Sequence, residues 1–425
     1  MRQTLALGLA LVAVAACSDL TTLTQSNPGS LDPATVYTPA NVNLVVNGAI
    51  SDFECAYSRY VVGSGVFTDE LANAISQSSN FDYDRRTILT NAAYGTGTCS
   101  SANQQPSIYT TLSVARRSAD TAVAHLQTWT DAQMPAGTNR TKLIGQSYAY
   151  GGYSLILLGE GMCSAAINVG PELTPAQLFA EAKTRFDAAI AAAGTASDAQ
   201  TLSFATLGRA RVQLDLGNVA AAGTDAATIP ATFVQNMGTD AVNIRRENFS
   251  FLFINQSSFG TVDPSFRGLT VNGAPDPRVA VTSLGKNGTA PGAALFSPDK
   301  YATLGATMPI ARYAEAQLIV AEAKLAANDI AGATTAINNA RATHAGLAAF
   351  SSDGLSASQM KDQIIEERRR ELFLEGHRLG DLRRYGLAFQ PASGTAYAGG
   401  GVYGTQTCFP LPDVERVNNP NISKP

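Results

Sequence analysis

Past its first sixteen residues the chain holds no apolar run of the ~20 residues that a membrane-spanning helix needs, so no transmembrane segment is expected. Basic runs are also missing. Arg368-Arg369-Arg370 stands alone with acidic neighbours, and 30 Lys+Arg face 34 Asp+Glu, a balance that argues against nucleic acid as a partner. Histidines are few (His125, His344, His377) and scattered, and no two cysteines lie within a few residues, so metal-ligand spacing is absent and neither metal nor cofactor is expected. No G-x-S-x-G elbow, H-E-x-x-H helix or P-loop occurs. The one tryptophan, Trp129, follows apolar positions Val123 and Leu126 and reads as core or scaffold.

What is present begins with a leader. Arg2 supplies a positive start, and residues 5 to 16 form an apolar stretch suited to a signal peptide. It runs into Val14-Ala15-Ala16-Cys17, a lipobox-like site, so residues 1–16 are expected to be removed and Cys17 to carry lipid. Two or three acyl chains there would anchor the protein permanently, each buried CH₂ contributing ~0.8 kcal/mol. Residues 17–40, rich in Ser, Thr, Asn and Pro, read as a flexible tether with a span of roughly 25 Å. Four cysteines remain: Cys55, Cys99, Cys163 and Cys408. An even number in an exported chain suggests two disulfides; of three possible pairings, Cys55–Cys99 and Cys163–Cys408 are favoured, the second tying the C-terminal tail to the body.

Residues 41–425, in a chain 45% hydrophobic and 15% charged, can bury a large core as one domain. Helical spacing recurs in pairs: 140 to 160 with a break at Gly159-Glu160-Gly161, then a helix capped by Thr174 with Pro175 at its first position and apolar positions Leu178, Phe179, Ala182, Phe186 and Ile190. Further pairs are 202 to 216 with a short Ala-rich helix from Val219, and 310 to 327 with 331 to 345. Pairs of about 34 residues predict a mostly α fold of tetratricopeptide-like units, an ordinary helical bundle being the alternative. Residues 228–308 and 388–407 are punctuated by Gly, Asn, Thr and Pro. The first predicts an irregular insert with one or two strands, the second a long loop, and together they suggest a loop-rich ligand face with little β structure.

Residues 362 to 386 predict a helix with an apolar stripe at Ile364, Ile365, Leu372, Leu379 and Leu382. Glu367, Glu371, Glu375 and Arg378 border it, with Arg368, Asp381 and Arg384 near enough to pair one turn away. Gly376 in mid-helix costs ~1 kcal/mol, which implies a close neighbour or a bend. The segment resembles a pattern ER-x-x-EL-x-x-EG-x-R-x-x-DL-x-R of SusD/RagB-like nutrient-binding lipoproteins. Arg312-Tyr313-Ala314-Glu315, Asp276-Pro277-Arg278 and Phe409-Pro410-Leu411-Pro412 are similar to further parts of that family.

The resemblance implies a helical scaffold on the outer leaflet of a bacterial outer membrane. There it would lie over a SusC-like TonB-dependent transporter and pass it a captured glycan or peptide. Catalytic residues are not implied, and the signature charges are implied to be structural. An envelope adaptor without nutrient binding is the alternative function, with glycoside hydrolysis by Asp69-Glu70 or Asp82/Asp84 a further one. For ligand contact, Phe81, Asp82, Tyr83, Arg85 and Tyr94 combine rings with charges before the first long helix.

Overall fold

A computed structural model describes residues 32–99 and 105–423. The leader and the lipidation site at Cys17 lie outside the described residues. The scaffold opens with α1 (Val42–Phe67), whose C-terminal half is buried on every side. A short helix, α2 (Ser78–Asp84), and then four longer ones follow: α3 (Tyr109–Thr128), α4 (Arg140–Gly161), α5 (Pro175–Ala196) and α6 (Ala199–Asp215), with the shorter α7 (Val219–Ala226) after them. From α3 to α7 each helix packs on the next, and α7 passes the stack to α8 (Tyr313–Ala326) and α9 (Ile330–Arg341), which α10 (Ala357–Glu371) closes. Short connections force neighbours to run back along one another, which is the repeat geometry expected from the sequence.

Local chemistry sets the helix ends. Thr174 and Gln177 form a capping box with Pro175 in the first turn, as anticipated, and Ser197 in the left-handed region lets α5 turn into α6. Between helices, small residues admit large rings: a Cβ on Gly208 would stand 2.4 Å from the Phe186 ring. In that space Tyr153 stacks on Phe204 at 4.3 Å between centroids and meets Phe186 edge to face at 5.2 Å.

Several boundaries differ from expectation. α4 continues through Gly159-Glu160-Gly161 and stops at Met162, because Glu160 is buried and bound there by Arg211. α8 starts at Tyr313 rather than 310, since Pro309–Arg312 is a short strand paired with Val234–Asn236. α9 ends at Arg341. The supposed single signature helix is two, α10 and α11 (Arg378–Tyr385). Leu374 (φ 53°) and Gly376 (φ 73°) break it in left-handed conformation, and a Cβ on Gly376 would meet Tyr60 at 3.3 Å. The backbone groups freed at the break find partners: Leu374 N–H donates to Glu70 Oε1, Tyr57 to the Glu375 carbonyl, Tyr301 to that of Leu374 and Arg211 to that of Gly376. The final residues of the expected tether are packed too. Pro33–Val36 forms a helical turn, and Tyr37 stacks on His125, which stacks on the half-buried Trp129.

The insert is richer in strands than the sequence suggested. β2 (Gly260–Val262) pairs antiparallel with β1 (Leu71–Asn73) in the register Leu71↔Val262, and β3 (Val281–Asn287) with β4 (Ala294–Pro298). A tight hairpin joins Thr270–Val271 to Ala274–Pro275. The 388–407 segment is a loop with one bridge, Ala396 to Val402, and a short helix, α12 (Asp413–Asn418), follows it. Both favoured disulfides are present, Cys55–Cys99 and Cys163–Cys408.

Candidate ligand site

The signature charges form a buried lattice. Glu367 accepts from Arg278 at 2.6 Å and from Arg341, while Asp276 holds the other side of Arg278 at 2.8 Å. Glu371 accepts from Arg312 at 2.6 Å and is paired with His344 at 2.7 Å; Glu375 accepts from Lys300 at 2.8 Å and from Arg312 at 2.9 Å. Arg368 grips Asp381 at 2.8 Å, Arg384 bridges Glu322 and Asp381, and Arg378 clamps Asp69 with two hydrogen bonds of 2.6 and 2.7 Å. Burial alone would raise the Asp69 and Asp381 carboxyls, but the guanidinium partners hold both below the usual range. A cavity of about 440 Å³ opens beside this lattice, yet its arginines and glutamates (Arg278, Arg341, Arg370, Glu366, Glu367) are committed to each other or to Asp276. These residues lock elements together, and their charges are spent.

A second surface carries an open cleft. This cleft of about 170 Å³ opens between the end of α2, the β1–β2 pair, the turn at residues 290–293 and the loop at 397–403. Tyr397 and Tyr403 meet edge to face at 5.3 Å, and Phe81 approaches Tyr397 from α2 at 5.5 Å. Asp84 lies at the base. Its Oδ2 accepts from the Asn73 amide N–H at 2.8 Å and faces the Tyr397 hydroxyl at 3.3 Å. Burial pushes the Asp84 carboxyl up to about 7 against the lowering effect of that amide.

The loop is pinned from below. Arg86, itself buried, donates to the carbonyls of Gln390 and Pro391 and lies 5.1 Å from the Tyr403 ring centre. Gln406 exchanges two hydrogen bonds with the Ile88 backbone, and Gly404 N–H donates to the Arg85 carbonyl at 2.6 Å. Arg85 also donates to the Gly400 carbonyl at 2.9 Å while paired with Asp82 at 2.6 Å. A Gly-rich loop thus presents its rings from a fixed base.

The expected contact residues divide. Phe81, Asp82 and Arg85 are not in the cleft lining; Phe81 packs against Tyr397, and Arg85, paired with Asp82, holds the Gly400 carbonyl of the same loop. Tyr83 and Tyr94 are buried: they are 2% and 0% exposed, and both pack around Phe409, so neither ring can meet a ligand. Their hydroxyls are taken by the carbonyls of Pro106 and Pro410, which explains how tyrosine can be buried there. Sequence reasoning missed Asn73, Asp84, Arg267, Tyr397 and Tyr403 as cleft residues. The signal available was two tyrosines spaced by glycines within 388–407. The acid pairs weighed for hydrolysis are occupied: Asp69 by Arg378, Glu70 by the Leu374 amide, and Asp82 by Arg85.

Fold and site together define a helical-repeat scaffold that supports a loop-built cleft. More particularly, the part of the chain that carries the signature is similar to the SusD family. Residues 294–423, which hold the signature, match the model of the SusD family. No curated protein matches the chain. Among solved structures, a SusD superfamily protein from Bacteroides fragilis is 16% identical with a TM-score of 0.69, covering 91% of this chain and 99% of its own. Surface glycan-binding protein A from Bacteroides thetaiotaomicron is 16% identical with a TM-score of 0.66, covering 90% and 97%. A SusD-like carbohydrate binding protein from Bacteroides vulgatus, also 16% identical, has a TM-score of 0.65 over 90% and 96%.

Proposed function

We propose that this protein is a cell-surface binding protein, anchored through lipid on Cys17, that captures an oligomeric glycan and delivers it to a partner TonB-dependent transporter in a bacterial outer membrane; a peptide is the second candidate ligand. The observation that carries the reading is the cleft at Tyr397 and Tyr403, where rings, an amide and a carboxyl converge on a loop fixed to the scaffold. Sugars offer apolar faces to rings and hydroxyls to polar side chains, and this lining provides both. A cleft of about 170 Å³ is small, so one sugar unit would occupy it while the rest of the chain lies across the surface. Two of the structurally similar proteins are named for glycan or carbohydrate binding, which agrees with this reading. No catalytic role is assigned, because the neighbouring acids are engaged within the protein.

The test is a glycan and peptide binding screen on the mature chain with Cys17→Ser, followed by calorimetry with the best ligand. Tyr403→Ala should weaken binding by about two- to tenfold, in line with the ~0.5–1.5 kcal/mol of one aromatic contact, at an unchanged thermal midpoint. Absence of any ligand in the screen, or full affinity after Tyr397 and Tyr403 are both replaced, would discard the reading. Protease accessibility on intact cells tests the surface location separately.

A further inference from the structure

Arg267, at the wall of the cleft, is set apart by how its guanidinium is used. Nε and Nη2 donate to the Val262 carbonyl at 2.8 and 2.6 Å, and Nη2 also approaches Thr261 Oγ1 at 3.4 Å. The Phe296 ring covers the guanidinium at 4.1 Å from its centre. These contacts fix the head group, and Nη1 has no hydrogen-bond partner among the described residues. Nor does Arg267 form an ion pair there; Asp263 attracts it through space only, its carboxylate being engaged in capping the Ser265 amide at 2.8 Å.

The other charged groups around the cleft are accounted for. Asp82 is paired with Arg85, Asp84 accepts from Asn73, and Arg86 is spent on two loop carbonyls. Among the described charged side chains at the cleft, Arg267 therefore keeps an N–H group, Nη1, for a ligand, on a head group that is fixed in place and half-buried. Burial already lowers its proton affinity, as expected of a guanidinium short of a counter-charge. The lining also includes Ala290, Pro291, Gly292 and Ala293, and a Cβ on Gly292 would meet nothing within 4 Å, so the cleft is open on that side.

We propose that the cleft selects an anionic saccharide, with a carboxylate or sulfate ester of the sugar received by Arg267. This rests on the reading of the cleft as a glycan site and adds the ligand's charge. Guanidinium groups bind such oxyanions through directed, charge-assisted hydrogen bonds, and a pre-positioned head group loses little freedom in doing so.

The experiment uses matched pairs of oligosaccharides: uronic-acid oligomers with their carboxyl-reduced forms, and sulfated oligomers with their desulfated forms. Calorimetry with the mature Cys17→Ser chain should show at least one acidic member bound tenfold or more tightly than its neutral counterpart, with affinity falling as sodium chloride is raised. Which pair responds separates carboxylate from sulfate. Arg267→Gln should remove the preference, whereas Arg267→Lys, which retains the charge, should keep part of it; thermal midpoints of both variants check folding. Binding restricted to neutral members, equal binding within every pair, or a preference that survives Arg267→Gln overturns the inference and leaves the glycan site standing. Failure of every oligosaccharide to bind overturns the glycan site itself, and this inference with it.

Discussion

Replacing Glu371 by Gln isolates one charge in the buried lattice without changing its volume. Glu371 has no exposed side-chain surface; Oε1 accepts from Arg312 and is paired with His344, while Arg278 lies 3.6 Å from Oε2. Burial alone would raise this carboxyl, but the Arg312 charge, aided by His344, wins and holds it at about 2 against an ordinary 4.5. At ~1.4 kcal/mol for each tenfold change in proton affinity, that difference corresponds to about 3 kcal/mol of folding stability. The cost of breaking a buried ion pair, ~3–5 kcal/mol, is an independent route to the same size. The sign follows from the depressed value. The contribution is complete above about 4.5 and disappears as pH falls towards 2, where native Glu371 also becomes neutral. Urea unfolding with disulfides intact should therefore place Glu371→Gln about 3 kcal/mol below the parent at pH 7, with the gap narrowing below pH 4. Other carboxylates titrate in both proteins and cancel from the difference. A gap under 1 kcal/mol at pH 7, or one that stays constant down to pH 3, would refute the reasoning.

Glu70 predicts the opposite behaviour. Burial raises its carboxyl to about 8 despite the Leu374 amide, so native stability falls as pH rises from about 4.5 to 8, and Glu70→Gln should be at least as stable as the parent at pH 7 and gain on it by pH 8, measured by urea midpoints. Replacing Cys163 and Cys408 by Ser opens a loop whose ends are 245 residues apart and should cost about 2–5 kcal/mol, read as a fall in thermal midpoint.

The helical scaffold was legible because each repeat helix buries a stripe, and a stripe at 3.6-residue spacing is local information. The signature was legible for a related reason: Glu367, Glu371 and Glu375 border that stripe, where unpaired charge would be costly, so partners had to exist. Their identity was not legible, since Arg278, Lys300 and Arg312 arrive from the insert and its exit. The break at Gly376 depends on Tyr60 and Glu70, some 300 residues earlier in the chain, and spacing alone favours an unbroken helix. The contact residues failed in an instructive way. A tyrosine near charges reads the same whether its ring faces solvent or Phe409, and only the carbonyls of Pro106 and Pro410 distinguish the cases for Tyr83 and Tyr94. The cleft joins residues near 73 and 84 to residues near 267 and 400, a juxtaposition that no local pattern carries.

The Cys163–Cys408 bond has a consequence for durability. It encloses most of the repeat stack, the insert and the presenting loop within one covalent ring. Proteases cut a folded protein most readily at exposed loop tips such as Gly400-Gly401. A single cut anywhere within the ring leaves the two pieces joined, and Arg86 and Gln406 still hold the loop ends against the body. A nicked molecule would remain one particle, its damage visible only once the bond is reduced.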